Sequence, residues 1–211
     1  PQGLGTGEHV KRNPVFNGDN DTEDDTELTI GCAGGIDVSS FLELERRDAP
    51  VDNPEVFEIR ISGLSGGHSG MDIHLGLGNA NVLLARVLRE IEKKACALLV
   101  DFDGGNLRNA IPREAFATVI MGKAHSDLLL NSIQSVRDEL SSELRVTDPN
   151  FILECKKKVS KDLVPKVLNG VQQERIISAI AGCPVGILRM SPEVKGLVQT
   201  SNNVARVSIN R

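Results

Sequence analysis

Neither tryptophan nor tyrosine occurs among these 211 residues, and only six phenylalanines are present. That poverty leaves few rings on which nucleic-acid bases could stack. Basic side chains are scattered apart from one run at Lys156, Lys157 and Lys158, and the formal net charge is -5. Without a basic face, nucleic-acid binding is not expected. Long apolar runs are missing too, since no stretch reaches the roughly 18 residues that cross a bilayer. Nor does a basic, then apolar, then small-residue signal open the sequence. A soluble protein that is not exported and has no membrane partner is the expectation. The four cysteines, Cys32, Cys96, Cys155 and Cys183, lie far apart and form no CxxC pair. They read as buried small apolar residues of a reduced, cytoplasmic protein.

What is present suits a folded body. Hydrophobic residues make up 40% and charged residues 25% of the chain, near the average for globular domains. The length is enough for one large domain or two small ones. Residues 1–35 combine glycines with an acidic patch from Asp19 to Glu27 and few apolar side chains. They cannot build a core alone, so a loosely ordered linker is expected there and a folded domain over residues 36–211.

Hydrophobic periodicity then sets the order of elements. Val38 to Glu45 reads as a strand, and Phe57, Ile59 and Ile61 alternate with polar residues in a second one. Leu84, Val87, Leu88, Ile91 and Ala95 recur at helical spacing, with Asn79 or Asn81 available as a cap. Cys96 to Phe102 and Ala115 to Met121 read as buried strands. Leu129, Ile133, Val136, Leu140 and Leu144 mark a second helix with Ser126 as a plausible cap, and Phe151 to Cys155 returns to strand. Pro165 at a first-turn position opens a third helix through Leu168, Val171, Ile177 and Ile180. A closing strand runs from Val204 to Ile209. The expected fold is α+β, a two-layer sandwich with about three helices on one face of a mostly antiparallel mixed sheet.

Two loops could carry chemistry. The first is Gly63-Leu64-Ser65-Gly66-Gly67-His68-Ser69-Gly70, where glycines on both sides leave the imidazole with little cover. It reads equally well as a flexible hairpin tip with an incidental histidine. The second is Gly104-Gly105-Asn106-Leu107-Arg108-Asn109-Ala110-Ile111-Pro112, whose amides and guanidinium could hold a carboxylate. It also reads as an Asn-rich polar turn. His68 and His74 suggest a metal pair, but no acid or Cys completes a ligand set. Gly76-Leu77-Gly78-Asn79 starts like a dinucleotide fingerprint and then departs from it.

Taken together, GGHSG after a strand, GLGNAN opening a helix and GGNLRNAIPREA some thirty residues later resemble the Xaa-His dipeptidase branch of the M20 peptidases. Asp21-Thr22-Glu23 followed by Gly31-Cys32-Ala33-Gly34-Gly35-Ile36-Asp37 adds a third match. The resemblance runs from about Asp21 to the C-terminus, and residues 1–20 fall outside it. It implies a lid domain inserted into a catalytic domain of the same protein that holds two zinc ions. On that basis His68 stabilises the oxyanion of the tetrahedral intermediate and Asn109 helps to hold a dipeptide substrate. Asp21 matches a metal-ligating acid by its spacing, and otherwise reads as a solvated acid in a charged run. The substrate-carboxylate Arg of many members is replaced at Gly122-Lys123, which leaves Arg108 or Lys123 as substitutes.

The chain has no Glu-Glu pair on an apolar strand and no GAHSP-like ligand His, and its one H-x-D, His125-Ser126-Asp127, opens the second predicted helix. No zinc is therefore expected in this segment, which should be inactive alone. A rival of another class is a non-catalytic α+β dimerisation or ligand-binding module whose glycine turns merely end strands, with a homodimer open in either case.

Overall fold

Alternating burial over Val56 to Ile61 places Phe57, Ile59 and Ile61 on one face of a nine-residue strand and its polar residues on the other. In the computed structural model, which describes residues 34–158 and 164–209, that strand is the second nearest an edge in a five-stranded sheet. Two compact units are present, residues 1–43 and 44–211. In the first, residues 34–43 have no helix or strand, so the strand expected over Val38 to Glu45 does not form there. Ile36, Val38 and Phe41 are exposed, and alternation with nothing to bury against cannot fix a strand.

The second unit begins with β1 (Arg46–Arg47), β2 (Pro54–Ser62) and β3 (Gly67–His68), followed by α1 (Ala80–Ala95). It continues through β4 (Leu98–Gly104), β5 (Ala110–Ile111), β6 (Ala115–Gly122) and α2 (Ser126–Glu143). The last part holds β7 (Ile152–Lys158), β8 (Val167–Leu168), α3 (Gly170–Gly182), β9 (Gly186–Met190), β10 (Val198–Asn202) and β11 (Val207–Ile209). The main sheet has the order β11-β4-β6-β2-β7, and every neighbouring pair is antiparallel. The α+β sandwich is therefore as the periodicity suggests, with a wholly antiparallel main sheet.

The core lies between that sheet and the helices. Leu84, Val87, Leu88 and Ile91 of α1 pack with Ile59, Ile61, Ala117 and Val119 of the sheet, with Leu129, Ile133 and Leu140 of α2, and with Ile177 of α3. The opposite sheet face carries a smaller cluster of Val56, Val100, Ile120 and Val167. A bulge between Leu99 and Asp101 puts Leu99 and Phe102, three residues apart, in the same cluster while Val100 joins the other. Side chains take up its freed backbone groups: the Leu99 N–H donates to Gln173 Oε1 at 2.7 Å, and the Val100 carbonyl accepts from Arg46 Nη1 at 2.7 Å.

Several sequence expectations shift. Asn79 is the cap of α1, accepting from the Asn81 and Val82 N–H groups. Ser126 is the first residue of α2 and not its cap; its hydroxyl instead donates to Glu55 Oε2 at 2.8 Å. The third helix starts after Asn169, because Val167 and Leu168 are taken by pairing with β1. The hairpin of β9 and β10 is absent from the sequence reading. Cys96 is exposed and left-handed at the end of α1, while Cys155 and Cys183 are half-buried. The expectation of buried cysteines fails for these three, and Cys32 lies outside the described residues.

Candidate functional site

Both glycine-rich loops lie at one end of the main sheet. Strand β2 ends at Ser62, and Gly63 turns the chain with φ of 75°. A Cβ there would stand 1.9 Å from the Asn150 carbonyl oxygen, so only glycine fits. Gly66 is likewise left-handed, and its would-be Cβ collides with the side chain of Arg113 at 2.2 Å. The loop between them is tied down. Leu64 is buried, its carbonyl accepts from Arg113 Nε at 3.3 Å, and the Ser65 hydroxyl donates to the Thr147 carbonyl at 2.9 Å.

Asp148 is the central anchor. It is 1% exposed, and its two carboxylate oxygens accept from the Ser65 and Gly78 N–H groups, each at 2.8 Å. One buried carboxylate thus joins the loop before His68 to the loop before α1. A charge-assisted bond of this kind is worth about 1.5 to 3 kcal/mol.

The strand that follows brings the two motifs together. Gly67 pairs with Ile111 and His68 with Ala110, and the Ser69 N–H donates to the Asn109 carbonyl at 2.8 Å. His68 and Asn109 are both exposed, on adjacent backbones. Arg108 is exposed on the same turn. Lys123, by contrast, follows β6 at its far end, eight residues of strand away, or about 25 Å.

A second set of polar residues holds the Asn109 turn. Asn203 Nδ2 donates to the Ala110 carbonyl at 2.8 Å, and Asn79 Nδ2 donates to Asn203 Oδ1 at 2.9 Å. Asn79 and Asn81 both donate to the Val204 carbonyl at 3.1 Å. Gly105, left-handed with φ of 68°, passes so close to Ala205 that a Cβ would meet its carbonyl oxygen at 1.9 Å. Asp148, Asn203 and Asp72, which binds the His68 N–H at 2.7 Å, went unnoticed in the sequence. Their only trace there is as ordinary turn formers.

The imidazole itself is oriented. His68 Nδ1 accepts from the Gly70 and Met71 N–H groups, both at 3.1 Å. With the Nδ1 lone pair so engaged, the proton of a neutral ring sits on Nε2. His74 does the reverse: its Nδ1 lies 2.8 Å from the Met71 carbonyl, which can only accept. Among the described residues no group of three or more His, Cys, Asp or Glu side chains is placed to hold a metal ion. These residues do not form a zinc site, and Asp21 lies outside them. Cys155 is no nucleophile either, because burial pushes its thiol up to about 11.

Two shallow hollows lie elsewhere. One, between α1 and α3, is lined by Arg89, Glu92, Lys93, Gly170, Glu174 and Ser178, and the other is on the open sheet face. Burial raises the Glu92 carboxyl in the first, partly offset by a hydrogen bond from Gln173. Neither hollow includes His68 or Asn109. Their cluster is an open surface, which becomes a dry site only when another surface covers it.

Residues 59–148 match a family model described as the peptidase dimerisation domain of M20 type. Over 189 residues the chain is 40% identical to the cytosol non-specific dipeptidase of Escherichia coli K12, covering 90% of this chain and 38% of that protein. The crystal structure of aminoacylhistidine dipeptidase from Vibrio alginolyticus matches with a TM-score of 0.75 at 37% identity, over 80% of this chain and 34% of that one. The chain thus spans little more than a third of either relative. No described helix is long and apolar enough to cross a membrane.

Proposed function

Because residues 59–148 constitute an M20-type peptidase dimerisation domain, we propose that this chain is the lid and association segment of a zinc-dependent, cytoplasmic dipeptidase. In this reading His68 donates from Nε2 to the oxygen that gains charge when the peptide carbonyl is attacked. Asn109 offers its amide to the bound dipeptide, and Arg108, on the same turn, is the nearer cation for its carboxylate. Dipeptides ending in His are the proposed substrates. The names of the two relatives differ on breadth, one being non-specific and the other aminoacylhistidine-directed.

The observation that carries the proposal is the pairing of β3 with β5. It sets His68, whose imidazole is an exposed, one-sided donor, on a backbone adjacent to that of exposed Asn109, and both belong to loops fixed from beneath by Asp148 and Asn203. Such preorganised donors are worth about 3 to 4 kcal/mol each once water is excluded. The zinc, with Asp21 as one proposed ligand, would be held outside the described residues and would supply the attacking water. The chain alone is proposed to be inactive.

The test uses the intact parent enzyme. His68→Ala is expected to lower kcat about 100-fold with bound zinc unchanged. Asn109→Ala should act mainly on KM. A kcat near wild type for His68→Ala rejects the catalytic role.

A second reading, association alone, rests on the matched domain's description, while the edge strand β7 argues against open-ended sheet pairing. Its Lys156, Lys157 and Lys158 pair with Glu154, Glu55 and Glu58, a charged edge of the kind that resists indiscriminate pairing. A dimer in sedimentation experiments together with an unimpaired His68→Ala parent would favour that reading.

A further inference from the structure

His68 stands at the centre of a closed ring of contacts that its catalytic role alone does not require. Its N–H donates to Asp72 Oδ2 at 2.7 Å, and the Asp72 N–H donates back to the His68 carbonyl at 2.9 Å. These two bonds bring residues 68 to 72 into a tight turn. The turn aims the Gly70 and Met71 N–H groups at Nδ1 of the same histidine. Gly67 belongs to the device as well, since a Cβ there would stand 2.8 Å from Asp72 Oδ2. Beyond it, His74 Nδ1 donates to the Met71 carbonyl and fixes the peptide whose N–H, that of Asp72, closes the turn on the His68 carbonyl.

We propose that Asp72, with the Gly70 and Met71 amides it sets in place, is a positioning device that holds His68 as a one-sided donor, Nδ1 bound inward and Nε2–H presented to solvent. A free imidazole exchanges its proton between the two nitrogens and turns about its side-chain bonds. The turn removes both freedoms before any substrate arrives. A donor fixed in advance requires no reorganisation when charge develops, which is the source of its value in a covered site. Asp72 is a positioning residue in this scheme and never touches substrate. The inference rests on the proposed oxyanion role only for its purpose; the tautomer is a property of this chain by itself.

Long-range proton–nitrogen correlation spectra of the 211-residue chain at pH 8, with ring nitrogens labelled, read the device directly. In the wild type His68 is expected to carry its proton on Nε2 alone and His74 on Nδ1, so that each ring serves as the other's control. Asp72→Ala should return His68 to an exchanging mixture and increase hydrogen exchange at the Gly70 and Met71 amides at least tenfold. Asp72→Asn, which keeps an acceptor oxygen, should restore most of the wild-type spectrum. His68→Asn places an oxygen where Nδ1 lies and should keep both amides slow, whereas His68→Gln should release them.

A proton on Nδ1 of wild-type His68, or a mixture identical in wild type and Asp72→Ala, overturns the proposal. If Asp72→Ala unfolds, the wild-type spectrum and the contrast between His68→Asn and His68→Gln still decide it. In the parent enzyme Asp72→Ala should lower kcat about tenfold at unchanged KM. An unimpaired His68→Ala parent, together with the expected Nε2–H tautomer in the wild-type chain, would reject the oxyanion role while leaving the positioning device standing.

Discussion

The two ends of the main sheet are held by different means. At the end carrying His68 and Asn109, backbone groups meet buried and half-buried side chains: Asp148 grips two loops, and Asn79, Asn81 and half-buried Asn203 grip a third. At the other end, charged side chains meet one another near the surface: exposed Lys157 reaches the largely covered Glu55 at 2.7 Å, Ser126 donates to the same carboxylate, and Lys158 pairs with Glu58. Buried tethers define one arrangement, since an unsatisfied buried group is costly. Exposed ion pairs tolerate many arrangements and contribute little. Precision is concentrated where the candidate site lies.

The largest expected effect is at Gly63. Alanine there must both adopt a left-handed backbone and displace the Asn150 carbonyl, which should cost about 4 kcal/mol. Calorimetry that found an unchanged Tm would remove steric fixation from the contrast. Next comes Asp148→Ala, which strands the Ser65 and Gly78 donors and should cost about 3 kcal/mol in urea unfolding. Asp148→Asn, keeping one acceptor, should cost less; equal losses would mean that the carboxylate is not the grip.

The smallest effect belongs to the other end. Lys157, then Ser126, holds the Glu55 carboxyl below its ordinary value of 4.5. A depressed value stabilises the fold above the ordinary one, and this is lost as pH falls through the depressed value. The urea midpoints of wild type and Glu55→Gln should therefore differ slightly at pH 7 and converge as the pH falls through the depressed value. A gap that persists once the carboxyl is protonated would show packing, and not charge, at work there.

Much of this was legible in the chain. A period-two pattern gave β2, an apolar run gave β6, which is buried on both faces, and helical spacing gave α1 and α2, because each turns apolar side chains towards a core. Pro165 misled for a tertiary reason: Val167 and Leu168 are drawn into pairing with Arg46 and Arg47 before the helix begins. The β9 and β10 hairpin stayed hidden because Ile187, Leu188 and Met190 are all exposed, so no alternation marks them. Both site loops stood out by their glycines and asparagines. Their support did not, since Asp148 meets Ser65 across 83 residues and Asn203 meets Ala110 across 93, separations that no local pattern encodes.

Those separations also set a timetable. A ribosome adding about 5 to 20 residues per second needs roughly 4 to 17 seconds to go from Ser65 to Asp148, and longer still to reach Asn203. Throughout that interval the nascent histidine loop has only its local Asp72 turn and, once Ile111 is made, its pairing with β5, and it lacks the Asp148 tether. Its bearing is acquired last, when the closing third of the domain emerges and locks what the opening third laid down.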